Sequence, residues 1–218
     1  SGAVARYLLG LPLGLVLVLA IGSTALALGA DRDEPDPDMA AGGLPGAAAI
    51  AVVLLGCSVF LVQGAAEEVV FRGWLMSALT ARWGVLAAVI GSSLLFMVLH
   101  AHVFVSGLGF GLAALLGLGV TGLAFALLCV LTRSVWEAAA AHGAFNAAAV
   151  GVPTLALMIE DPARSANDAF TEVFTRATGM AGPDSTSVGP ETFAQALAAG
   201  VISAGLALLI ARRAGKRG

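Results

Sequence analysis

A few polar side chains interrupt long apolar runs in this sequence, and their types are those that do chemistry. They are Glu67, Glu68, Arg72, His100, His102, Glu137, His142 and Asn146, and all three histidines of the chain are among them. Glu68 and Arg72 are four residues apart, so on a helix they share a face and can pair, with the acid on the favourable N-terminal side. Glu67 lies about 100° round the same helix, so one acid can hold the arginine while the other points into the bundle. His142 and Asn146 are also four apart and can aim at one point. A carboxylate and an imidazole meeting in a dry pocket form a general acid–base pair.

Three of these clusters form a recognisable set. Glu67-Glu68-Val69-Val70-Phe71-Arg72 follows the pattern E-E-x-x-x-R, Phe96 to His100 follows F-x-x-x-H, and His142 to Asn146 follows H-x-x-x-N. In this order, each on an apolar helix, they resemble the CAAX-protease and bacteriocin-processing (CPBP) family of intramembrane peptidases. The resemblance covers a core of about residues 45–150. It implies hydrolysis of a peptide bond within the membrane. Glu67 with His100 would deprotonate a water, and His142 with Asn146 would supply donors to the oxyanion. Glu68 and Arg72 would orient that site. A zinc-dependent version is the alternative, with Glu67 or Glu68, His100 and His142 as ligands and one position left for water. The chain lacks H-E-x-x-H and asparagine is a poor zinc ligand, so no metal cofactor is the favoured expectation. A non-enzymatic reading is a membrane binding or immunity protein that uses the same cavity.

The elements that must position these groups are membrane helices. Of 218 residues, 59% are hydrophobic and 11% charged, against about 25% charged in soluble domains. Apolar runs of about 20 residues match a hydrocarbon core of about 30 Å. The expected fold is all-α: a single integral-membrane domain over residues 1–218 with six transmembrane helices at about 6–30, 44–66, 84–102, 108–131, 135–158 and 191–211. Ser1-Gly2 reads as a tag remnant, and the first run lacks a basic leader and a cleavage site. The acidic loop Asp31 to Asp38 belongs in water. Phe170, Val173, Phe174 and Ala177 fall on one face of an expected interfacial helix within 159–190.

With six spans, both termini share a side. That side would hold Arg6, Arg72, Arg82, Arg133, Arg212, Arg213, Lys216 and Arg217, against Arg32, Arg164 and Arg176 on the other. The basic excess makes both termini cytoplasmic, in an Ala/Gly-rich chain that reads as bacterial. There is no basic face for nucleic acid, and the expected partners are the lipid bilayer and a peptide or membrane-protein substrate. The G-x-x-x-G pairs Gly10/Gly14, Gly42/Gly46 and Gly107/Gly111 suit close helix packing inside the chain, with a dimer face as the alternative. Cys57 and Cys129 are expected as small core residues, His102 as an interfacial residue facing away from His100, and Glu137 as the partner of Arg133. Trp74, Trp83 and Trp136 suit the interfacial belt.

The span limits carry one tension. Glu67 and Glu68 fall at the inner end of the second span, whereas His100 nears the outer end of the third. Either the Glu67 helix runs deeper than hydropathy suggests or the third span is shifted.

Overall fold

The computed structural model describes residues 2–28, 45–161, 163–178, 180 and 193–215. The acidic loop, Gly42, Lys216, Arg217 and most of 179–192 lie outside the described residues. The described residues fold as helices: α1 (Gly2–Ala27), α2 (Ala47–Glu68), α3 (Met76–Leu99), α4 (Leu108–Thr132), α5 (Trp136–Glu160), α6 (Ala166–Ala177) and α7 (Ala194–Gly215). A π-helical stretch, Val69–Leu75, joins α2 to α3, and a 3-10 segment, Ala101–Ser106, follows α3. Among the described residues, five stretches are long and apolar enough to cross a membrane. Their outer faces carry side chains such as Leu9, Leu55, Leu86, Leu99 and Leu108, each at least 69% exposed. An apolar surface of that extent belongs in lipid rather than water.

The second stretch, Ala47–Leu99, is 53 residues long. Straight, it would measure about 80 Å, far beyond one crossing. It folds back at Gly84, whose φ of 83° and ψ of 168° suit only glycine. The reversal brings the Phe71 and Phe96 rings to 5.3 Å between centroids; an unbroken helix would hold those residues about 37 Å apart. One stretch therefore supplies two antiparallel arms where two separate spans were expected. The returning arm is short and ends at Leu99, with His100 already outside the α-helix at φ −95° and ψ 16°.

α5 is the central helix because its first turns are almost all small. Ala138, Ala139, Ala140 and Ala141 are buried, and this narrow wall lets α1 and α2 approach on either side. A Cβ on Gly10 would lie 2.3 Å from the Glu137 carbonyl oxygen, and one on Gly14 would lie 2.2 Å from that of Ala141. On the α2 side, a Cβ on Gly64 would stand 2.5 Å from the Gly143 nitrogen. The Gly10/Gly14 pair is thus used within the chain. Gly107 instead makes a turn at φ 98°, and Gly111 faces the Phe104 ring, so that pair is no helix–helix seam.

The loop between α4 and α5 corrects one expectation. Arg133 caps α4 in the left-handed region at φ 56°, its N–H closing on the Cys129 carbonyl, and α5 starts only at Trp136. Arg133 and Glu137 therefore do not share a helix. Glu137 pairs with Arg6 of α1 at 3.1 Å, and the same guanidinium nitrogen donates to the Thr132 carbonyl at 3.2 Å. Arg213 donates to the neighbouring Leu131 carbonyl. The start of α1 and the end of α7 thus meet the same end of α4, and the two helices lie with their termini at one end of the bundle.

α6 lies across α2 and α5 near their other ends. Its N-terminus is capped by Ser165, whose Oγ accepts from the Asp168 N–H. Phe170 and Phe174 pack on Phe60, with centroids 6.3 and 6.1 Å away, and Val173 is buried. The buried face runs through Ala169, so Ala177, expected on it, is exposed. Cys57 approaches the Ala147 carbonyl at 3.4 Å and Cys129 is buried in the core; both are free thiols.

Candidate active site

The reversal at Gly84 removes the depth mismatch. Glu68 precedes Gly84 by 16 residues and His100 follows it by 16, so both arms reach the same level. That level meets α1 at Gly14 and α4 at Gly122, each near mid-length of a helix long enough to cross a membrane. The helix carrying Glu67 continues past the hydropathy boundary, and Arg72 is not a loop residue: its side chain is buried in the bundle. It therefore drops out of the basic residues that set orientation.

Glu68 is the hub. Its Oε1 accepts from Arg72 Nη1 at 3.0 Å and lies 2.9 Å from His142 Nδ1. Arg72 Nη2 donates to the Gly122 carbonyl at 2.7 Å, and its guanidinium carbon stands 4.6 Å from the Phe96 ring centroid. The bare backbone of Gly122 permits this approach, since a Cβ there would lie 2.9 Å from Nη2. His142 is fixed by stacking on Phe125 at 5.0 Å and by the edge of Phe96 at 5.7 Å. Its place opposite Glu68 follows from the Gly64–Gly143 crossing one residue away.

Of the two acids, Glu68 is wholly buried and Glu67 keeps 24% of its side chain exposed. Glu67 Oε2 lies 3.8 Å from His142 Nε2, and it has no hydrogen-bond partner among the described residues. Glu67 Oε1 accepts from Gln63 Nε2 at 2.6 Å, and Gln63 Oε1 accepts from Asn146 Nδ2 at 3.4 Å. Gln63 was not singled out by the sequence, although it stands four residues before Glu67 on the same face. An uncharged amide in an apolar span gives a weak signal. The π-helical stretch begins directly after Glu68, and such insertions are frequent at functional sites.

Glu67, Glu68, Arg72 and His142 are thus brought together, and Asn146 joins them through Gln63. His100 adjoins this group through the Phe96 ring. Its Nδ1 bonds the Phe96 carbonyl at 2.8 Å, and its ring lies 4.5 Å from the Phe96 ring. The imidazole beside Glu67 is that of His142, not His100. His102 was expected to face away from His100, but the α-helix ends before both, and their rings lie 5.8 Å apart.

Among the described residues no three His, Cys, Asp or Glu side chains are grouped to hold a metal ion. Glu68 Oε1 is already engaged by Arg72 and His142, and a divalent cation beside a buried guanidinium would be repelled.

The fold and site define a polytopic helical membrane protein with a buried Glu–Arg–His network at mid-depth. Residues 49–148, the interval carrying all three motifs, match the model of the Rce1-like family, described as Type II CAAX prenyl endopeptidase Rce1-like. That family is one of proteases, which supports a hydrolase. No curated protein and no solved structure matches the chain.

Proposed function

We propose that this protein is an intramembrane endopeptidase in which Glu67 activates a water for attack on a peptide bond. The observation that carries the reading is the pairing of Glu67 Oε2 with His142 Nε2 at 3.8 Å. That separation is too long for a hydrogen bond and suits one bridging water at about 2.8 Å from each atom.

Glu67 accepts a proton from that water as its oxygen attacks the scissile carbonyl carbon. The proton then passes from Glu67 to the departing amine nitrogen as the tetrahedral intermediate collapses. Asn146 Nδ2 donates to the developing oxyanion; its bond to Gln63 is long at 3.4 Å and readily exchanged for one to substrate. Glu68, anchored by Arg72, holds His142 with Nε2 toward the water. Gln63 holds Glu67. His100, fixed through Nδ1, keeps Nε2 for the bound peptide. This differs from the expectation that His100 shares the water with Glu67, because His142 is the nearer imidazole.

The proposed steps use only side chains of the chain itself. The substrate is a peptide or the tail of a membrane protein, reaching the partly exposed rim formed by Gln63, Glu67 and Asn146. The arginine-rich end, with both termini, faces the cytoplasm. The test is turnover of a peptide library by the purified protein in liposomes. Glu67→Gln should be inactive while unfolding at the wild-type temperature. Full turnover by that variant would end the mechanism, and turnover abolished by chelators would replace it with a metal-dependent one.

A further inference from the structure

The arginine-rich end of the bundle carries a feature that hydrolysis leaves unused. The returning arm of α3, the last turns of α4 and the end of α7 enclose a groove of about 320 Å³. It is lined by Val85, Leu86, Val89, Leu127, Ile210 and Ala211, among others, all of them apolar. Its volume falls at the lower end of the roughly 300–1,000 Å³ of ligand pockets.

Arginines adjoin the groove's lining residues along the chain. Arg213 donates to the Leu131 carbonyl at 3.1 Å, beside the lining residue Val130. Arg212 directly follows Ala211 and is exposed. Arg82, three residues before Val85, is exposed and sits 5.9 Å from the Trp83 ring. Trp83 is itself 63% exposed, as an aromatic residue at a membrane interface is. The sequences of α3, α4 and α7 contain no Asp or Glu, so nothing on the groove's own walls neutralises these arginines.

We propose that the groove binds one acyl chain of an anionic phospholipid, with the lipid phosphate on Arg82, Arg212 and Arg213. The choice of occupant rests on charge. Any lipid tail fits an apolar groove, because tails are as apolar as leucine. Preference must therefore come from the headgroup, at about fivefold for each arginine near an anionic surface.

Native mass spectrometry of the purified protein in neutral detergent tests this. Phosphatidylglycerol should be retained at least about tenfold over phosphatidylcholine, and R212Q/R213Q should remove the preference. Ala207→Phe, which fills the groove and leaves the charges, should lower retention of phosphatidylglycerol; Ala211→Phe serves if that variant does not fold. Equal retention of the two lipids, or an unchanged preference in R212Q/R213Q, overturns the proposal. So does inorganic phosphate that displaces the lipid at equal concentration, because the chain would then contribute nothing.

Discussion

Glu68 and His142, 74 positions apart, meet at 2.9 Å between Oε1 and Nδ1. The same oxygen also receives Arg72. The buried acid therefore binds an arginine one turn along its own helix to an imidazole on another. It ties α2 to α5 and aims the second imidazole nitrogen at Glu67.

Breaking this junction on one side should be severe. Removing one partner of a buried ion pair typically costs about 3–5 kcal/mol, because the other charge is left uncompensated. Arg72→Met should lower stability by about that amount, measured by thermal unfolding in detergent. Replacing both partners removes the stranded charge, so E68L/R72M should be markedly more stable than Arg72→Met alone. A double variant that loses as much as the sum of the singles would show that the pair is not coupled as described.

Glu67→Gln should separate chemistry from stability. A neutral amide of the same shape cannot take the water's proton, and loss of a general base costs roughly 10²–10⁴ in rate. Peptide turnover should fall by at least that factor while the unfolding temperature stays near wild type. An active Glu67→Gln protein would move the base elsewhere in the site.

The chemical residues were legible because their cost in lipid leaves few innocent reasons for them. Glu68, Arg72 and His142 indeed meet, and the α6 face was readable in Phe170, Val173 and Phe174. What hydropathy could not supply was the turn. The expected spans left Arg72 and Arg82 between the second and the third, yet this segment is helical, buries Arg72 and reverses only at Gly84. Helical-wheel reasoning failed where the helix had ended: His102 lies near His100, and Arg133 caps α4 while Glu137 of α5 pairs with Arg6. Gln63 escaped because neither charge nor a motif marks it. The Gly64–Gly143 contact escaped because it joins two helices, so no spacing along one of them reveals it.

The helix seams yield a prediction from paired glycines. On Gly14 a Cβ would stand 2.2 Å from the Ala141 carbonyl oxygen, and on Gly22 it would meet nothing within 4 Å. Gly14→Ala must push α1 off α5, and overpacking of this kind costs about 1–3 kcal/mol. Gly22→Ala should be neutral or stabilising by up to about 1 kcal/mol, the difference in helix propensity. Thermal unfolding of the two variants should therefore shift in opposite directions, or Gly14→Ala alone should fall. Equal shifts would mean that α1 does not cross α5 at Gly14.

Gln63 gives the sharpest test of how the acid is positioned. Its amide donates to Glu67 Oε1 at 2.6 Å and accepts from Asn146, so one side chain sets the orientation of two proposed participants. Gln63→Leu keeps the size and removes both bonds. Glu67 can then rotate away from the water position, and a small misplacement of a reacting group costs on the order of 10²-fold in rate. The loss should appear in kcat with KM little changed, because Gln63 holds the acid rather than the peptide. Gln63→Glu should not restore it, since a second carboxylate cannot donate to the first while ionised. Gln63→Asn, which keeps the donor but shortens its reach, should recover part of the rate. If Gln63→Leu instead raises KM at constant kcat, the amide contacts the substrate and Glu67 is oriented by other groups.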